Sequence, residues 1–200
     1  MPGDHMDDLY NAKNPLVRFV HRQRLSEIVK IVPRKEGVAV LDAGCGEGHL
    51  LAELYKKNDC GAYYGADVTA VALERARERC SFAHFYHGDL SHLDFNDGSF
   101  DVIIATEVLE HIIEYEEVMH ELLRVLKKGG VLIVTFPNEV LWTVSRFFLG
   151  RRPIKIIDHV NSFTPDTMKE MVGLAVVKQR NLPFSLPFSV SLGSLIEFRK

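Results

Sequence analysis

The chain lacks any run of the roughly 18 apolar residues that a helix needs to cross a bilayer. Its nearest approach, 131–150, is broken by Pro137-Asn138-Glu139 and by Arg146. No leader pattern opens the sequence, so a secreted or membrane-spanning protein is not expected. It also lacks a surplus of positive charge: 24 basic residues face 27 acidic ones, for a net charge of −3. That balance disfavours nucleic acid as a partner, although a local basic patch would not show in it. Cysteine is scarce, with Cys45, Cys60 and Cys80 alone and no Cys-x-x-Cys pair. An odd, unpaired set excludes a disulfide framework and a zinc knuckle, and it fits a reducing, cytoplasmic setting. There is no internal repeat and no low-complexity tract. What remains is 200 residues, 46% hydrophobic, enough for one domain over 1–200. Residues 1–5 read as a cloning remnant, because His5-Met6 is what a common cloning site encodes.

Strand and helix patterns alternate along most of the chain. Asn14-Pro15 is a helix start, with helically spaced Leu25, Ile28, Val29 and Val32 behind it and Pro33 as its stop. Strands are expected at 38–41, 62–66, 83–87, 100–105 and 131–136. Between them lie helices over 49–57 and from a Thr69 cap to Arg79. A third runs through Tyr115, Val118, Met119, Leu122, Leu123 and Leu126, stopped by Gly129-Gly130. This alternation predicts an α/β fold whose parallel sheet is covered on both faces. Thr164-Pro165 opens a further helix that Gly173 ends. Segments 174–178 and 194–198, joined by an apolar loop over 181–193, are expected to pair antiparallel. The stretch 138–162 has the least periodicity and is expected to form a lid over the site.

The first strand runs into Asp42-Ala-Gly44-Cys-Gly46-Glu-Gly48. A dinucleotide turn has the spacing Gly-x-Gly-x-x-Gly, but here His49 stands where its third glycine would be. Asp42 also argues against a diphosphate, which gains nothing from a neighbouring carboxylate, whereas an ammonium group does. Asp67, at the end of the second strand, is placed to accept both hydroxyls of a ribose. Asp89, after the third, is placed to accept from an exocyclic amine such as adenine's. An amino-acid head, a ribose and an adenine together describe S-adenosylmethionine.

Four motifs carry a family resemblance: Val-Leu-Asp42-Ala-Gly44-Cys-Gly46-Glu-Gly48, Tyr-Gly-Ala-Asp67, Gly88-Asp89-Leu90, and Leu123-Arg-Val-Leu-Lys-Lys-Gly129-Gly130. In register over roughly 38–138 they resemble the class I S-adenosylmethionine-dependent methyltransferases. The ubiquinone-biosynthesis O-methyltransferases are the particular likeness. The resemblance implies a doubly wound, Rossmann-like, seven-stranded sheet, mostly parallel, with an antiparallel C-terminal hairpin. It also implies donor contacts at Asp42, Gly44, Cys45, Gly46, Gly48, Asp67, Val68, Asp89, Leu90 and Thr106.

Methyl transfer from a sulfonium needs alignment above all, and a hydroxyl acceptor needs its proton taken as well. In this fold the residues after the fourth strand face the methyl group. They read Thr106-Glu107-Val-Leu-Glu110-His111. If that turn is helical, Glu107, Glu110 and His111 share a face. With a later His159 they resemble the cation ligands of small-RNA 2′-O-methyltransferases and of the ubiquinone-type enzymes, which suits Mg²⁺, Mn²⁺ or Zn²⁺. The alternative is that His111 caps a helix or acts as a base, that Glu107 shapes the pocket and that His159 packs. His84, His87 and His92 read as structural.

Leu141, Trp142, Val144, Phe147, Phe148, Phe184 and Phe188 suggest a lipophilic or aromatic small-molecule acceptor, or else packing of the lid. Arg146, Arg151, Arg152 and Lys155 form a basic group that either meets an anionic substrate or is simply solvated. The expected reaction is methyl transfer to a small molecule, at a hydroxyl oxygen. RNA 2′-hydroxyl methylation and a non-catalytic S-adenosylmethionine-binding subunit are the rival readings.

Overall fold

The computed structural model describes residues 14–148 and 159–200. Residues 1–5, the middle of the expected lid and the basic residues Arg151, Arg152 and Lys155 lie outside the described residues. The chain divides into two compact units, Met1–Leu90 and Ser91–Lys200.

The first unit carries α1 (Pro15–Ile31), β1 (Ala39–Ala43), α2 (His49–Lys57), β2 (Ala62–Asp67), α3 (Ala70–Arg79) and β3 (His84–His87). Asn14 Oδ1 accepts from Val17 N at 3.4 Å, so α1 starts at its expected cap. β1 pairs in parallel with β2, and β2 with β3. Val40, Leu41 and Ala43 are fully buried, as a strand covered on both faces requires. Thr69 does stand at the N-cap of α3, but its hydroxyl makes no capping bond. Asp67 Oδ1 instead accepts from the amide of Thr69 itself, at 2.8 Å.

The second unit carries β4 (Phe100–Thr106), a 3₁₀ turn (Leu109–His111), α4 (Tyr115–Val125), β5 (Leu126–Pro137), α5 (Glu139–Phe148), α6 (Pro165–Val172), β6 (Ala175–Leu182), a second 3₁₀ turn (Phe188–Val190) and β7 (Gly193–Arg199). β4 and β5 are parallel, whereas β5–β7 and β6–β7 are antiparallel. The sheet has seven strands in the order β3-β2-β1-β4-β5-β7-β6. This is the expected doubly wound, mostly parallel sheet with an antiparallel C-terminal hairpin.

Three expectations need correction. First, α4 stops at Val125, and Leu126 already pairs with Phe100. The periodic residues Val118, Met119, Leu122 and Val125 are buried, each contributing about 1.5–3 kcal/mol. Leu126 is buried too, but as the first residue of β5. Gly129 and Gly130 therefore do not end a helix. They sit in an offset of β5, where the register jumps from Phe100↔Leu126 to Val102↔Val131. Gly129 has φ 76, and a Cβ on Gly130 would lie 2.8 Å from Leu126 and 2.9 Å from the Lys127 carbonyl. Second, residues 139–148 are a regular helix, capped by Asn138 Oδ1 accepting from Leu141 N at 3.3 Å. The Asn138-Glu139 start was a readable signal, because a cap followed by an acid in the first turn favours a helix. Third, β6 extends to Leu182 rather than ending near Lys178, so the connection to β7 is shorter than expected. The start of α6 matches its expectation fully: Thr164 and Thr167 form a capping box, and Gly173 ends the helix at φ 63.

Candidate active site

The donor-binding candidates, Thr106 apart, lie in the first unit and close on one another through backbone bonds. Gly44 N and Cys45 N both donate to Ala66 O, at 2.8 and 3.1 Å. This fastens the glycine turn to the end of β2. Gly46 N donates to Asp67 Oδ2 at 2.8 Å. Asp67 thus holds the turn with one oxygen and the N-cap residue of α3 with the other. A carboxylate has about four lone-pair sites, so two remain for ligand hydroxyls. Sequence spacing placed Asp67 near the turn but did not disclose that it braces it.

Asp42 is 2% exposed. Burial, and then the charge of Asp67, push its carboxyl up to about 8. In the free protein at neutral pH it is therefore mostly protonated, and a cationic ligand group beside it would favour the ionised form. Gly48 caps α2 in the left-handed region at φ 78, where its missing Cβ lets Ala76 and Cys80 come within 3.3 Å of the vacant position. Cys45 is buried, and a Cβ on Gly65 would lie 2.7 Å from its Sγ. Its thiol therefore packs on β2 and is pushed far up by burial and by Asp42 and Asp67, so it is not a nucleophile.

Glu47 was not singled out by sequence. Its side chain is 4% exposed and bonds Arg75 Nη1 at 2.5 Å, while Arg79 Nη1 donates to its carbonyl. Burial alone would raise its carboxyl, but the Arg75 hydrogen bond and the charges of Arg75, His49 and Arg79 bring it below the usual range. It ties the glycine turn to α3. At the end of β3, Gly88 N donates to Asp67 O at 3.2 Å and His87 Nε2 donates to Val68 O at 3.1 Å. His87 is thus structural, as expected. Val68 is 73% exposed, Asp89 is exposed and Leu90 is buried.

The second unit carries the acid–imidazole cluster. Thr106 ends β4 opposite Thr135, and the buried Oγ1 atoms of both have no hydrogen-bond partner among the described residues. Glu107 N donates to Thr135 O at 3.1 Å, and Glu107 itself takes a left-handed φ of 53, a strained turn for a residue with a Cβ. The segment is therefore not one helical face. Only Leu109–His111 forms a turn, and Glu107 precedes it.

Glu110, His111 and His159 do come together, with one ligand-capable atom each inside 4.8 Å of the others. Glu107 is not in that group. Glu110 is 1% exposed, and the His111 and His159 rings meet edge to face at 4.5 Å. Backbone bonds hold the cluster. Val160 N and Asn161 N both donate to Glu110 O, and Asn161 Nδ2 donates to Ile112 O at 2.6 Å. The end of the expected lid is thus hydrogen-bonded to the turn at Glu110. Neither Asn161 nor Glu139, which lies 2.5 Å from His159 Nδ1, was visible from spacing.

The two apolar segments also meet. Asn138 Nδ2 donates to Phe188 O at 2.7 Å and Asn138 N to Leu192 O at 2.9 Å. Val140, Val144 and Phe147 are exposed on one side of α5, and Phe184, Leu186 and Val190 are exposed on the β6–β7 connection.

A methyltransferase-domain profile matches residues 34–174. A probable S-adenosylmethionine-dependent methyltransferase of Mycolicibacterium smegmatis is 32% identical over 128 residues, 62% of this chain and 48% of that protein. A ubiquinone/menaquinone biosynthesis C-methyltransferase of Idiomarina loihiensis is 28% identical over 148 residues, 70% of this chain and 59% of that protein. The chain thus spans about half the length of these curated relatives. A solved S-adenosylmethionine-dependent methyltransferase from Aquifex aeolicus shares the fold, with a TM-score of 0.71 at 16% identity over 96% of this chain and 97% of that one. With the profile running from before β1 to the end of α6, and the braced glycine turn inside it, the chain belongs to the class I S-adenosylmethionine-dependent methyltransferase family.

Proposed function

We propose that the chain moves a methyl group from S-adenosylmethionine to a hydroxyl oxygen of a lipophilic or aromatic small molecule. The observation that carries the oxygen assignment is the cluster of Glu110, His111 and His159. A carbon or amine acceptor has less need of such a group, whereas a hydroxyl must lose its proton as the methyl arrives. The relative from Idiomarina loihiensis is named for methylation at carbon, so membership of the family leaves the acceptor atom open.

On the donor side, Asp42 is the partner for the ligand's ammonium group and the spare lone pairs of Asp67 are partners for the ribose hydroxyls. Asp89 meets the adenine amine, and Val68 and Leu90 are apolar neighbours for its ring. Gly44, Cys45, Gly46 and Gly48 contribute backbone. On the acceptor side, a carboxylate with two imidazoles suits a divalent ion such as Mg²⁺, Mn²⁺ or Zn²⁺ with positions left for substrate. Such an ion would lower the pKa of a bound hydroxyl. Without such an ion, the free imidazole nitrogen of His159 or His111 would take the proton, with the buried Glu110 carboxyl beside them. The exposed side chains of α5 and of the β6–β7 connection supply an apolar surface for the rest of the acceptor. Three free cysteines, two of them buried, support a reducing, cytoplasmic setting. No helix among the described residues is long and apolar enough to cross a membrane.

The test is transfer from labelled donor to a panel of phenols, carboxylic acids, activated-carbon compounds and RNA with a free 3′ end. Methylation of phenols as ethers supports the reading. Products labelled only on carbon, or only on RNA, would overturn it.

A further inference from the structure

His159 Nδ1 and Glu139 Oε1 are 2.5 Å apart, and the two side chains are only 8% and 15% exposed. A contact this short and this shielded is not a solvated surface pair. Glu139 is the first residue of α5. An ionised carboxylate can only accept. The imidazole must therefore donate through Nδ1–H, which leaves the lone pair of the neutral ring on Nε2.

Both ends of this pair stand on anchored backbone. Asn138 caps α5 and is tied to the carbonyls of Phe188 and Leu192, so the first turn of the helix is located. On the other side, Val160 N and Asn161 N fix the chain beside His159 onto the carbonyl of Glu110. The ring of His159 is thus held at Nδ1 by Glu139, and it stands edge to face with the ring of His111 at 4.5 Å.

We infer that Glu139 is a positioning residue of this site: it locks His159 in the Nδ1–H tautomer, so that Nε2 is the nitrogen offered to the Glu110–His111 cluster. The functional consequence rests on the reading above, whereas the tautomer does not. A base needs a lone pair pointing at its proton, and a cation ligand needs the same lone pair. In either role His159 works only in this tautomer. Carboxylate partners of this kind fix the tautomer and orientation of the ring.

The experiment uses the whole chain as wild type, Glu139→Gln and Glu139→Ala, with His159→Gln to assign the ring signals. Long-range nitrogen–proton correlation of the imidazoles at neutral pH reads which nitrogen of His159 carries the proton. Wild type and Glu139→Gln, whose amide oxygen still accepts, should show Nδ1–H. Glu139→Ala should change to predominantly Nε2–H. In parallel, Co²⁺ titration followed by visible absorption should show binding about 10- to 100-fold weaker in Glu139→Ala and nearly unchanged in Glu139→Gln.

An Nε2–H tautomer in the wild type, or a tautomer unmoved by Glu139→Ala, overturns the inference. If Glu139→Ala does not fold by its thermal melt, Glu139→Met replaces it. If the wild type binds no Co²⁺, the cation part of the proposed function fails, and the tautomer measurement still decides the role of Glu139.

Discussion

Donor binding should release a proton, and the amount is set by Asp42. Its carboxyl is buried and pushed up to about 8, first by burial and then by the charge of Asp67. In the free protein below that pH it is therefore neutral. If the donor's ammonium pairs with the ionised form, each binding event below pH 8 must expel one proton. The apparent dissociation constant should then fall about tenfold per pH unit well below 8, or roughly 25-fold between pH 6 and pH 8 once partial loss of the amine's own proton is counted. Above pH 8 the gain ends, because Asp42 is already ionised and an ordinary α-amino group, with a pKa of about 8, starts to lose its own proton.

The stability term has the opposite sign to the usual salt-bridged aspartate. The native pKa lies above the unfolded one, so the native state binds more protons between about 4 and 8. Stability due to this group therefore falls as pH rises through that window, and the donor's cation offsets the loss. Calorimetric titration at several pH values, in buffers of differing ionisation enthalpy, counts the protons released. Asp42→Asn should flatten the profile, weaken the donor at pH 8 and raise the melting temperature of the free chain there, with little change at pH 4. An affinity that is flat from pH 6 to pH 8, or proton uptake on binding, would refute the reasoning.

Asp67→Ala should weaken S-adenosylmethionine and its demethylated product alike by calorimetry. It should also cost about 1–3 kcal/mol in denaturant melts, because Gly46 N and Thr69 N lose their acceptor. Gly48→Ala should destabilise by about 1–2 kcal/mol through its φ of 78, as a methyl group there also presses on Ala76 and Cys80. Excess chelator, and separately His111→Ala, should depress turnover while donor affinity measured by calorimetry stays within error, since the proposed donor contacts are chiefly Asp42, Asp67 and Asp89. Full turnover in chelator on a confirmed acceptor would leave His111 and His159 as bases, with an imidazole pKa in the rate profile.

Local pattern was enough for whatever depends on a residue and its near neighbours. The alternation of strands and helices, the capping box at Thr164, the stop at Gly173 and the three aspartates at successive strand ends were all legible, because periodicity, caps and turn glycines act within a few residues. Tertiary structure decided the remainder. Leu126 has the spacing of a helical residue, yet it is taken by β4 as a strand partner. Glu107 has the spacing of a helical face but is turned out of it by a left-handed φ. The partners of His159 are Glu139, 20 residues away, and a turn nearly 50 residues before it, held by Asn161. No one-dimensional period links such positions. Their meeting follows from which strands pair and where the chain re-enters the sheet, and that is settled only when the whole hydrophobic core closes.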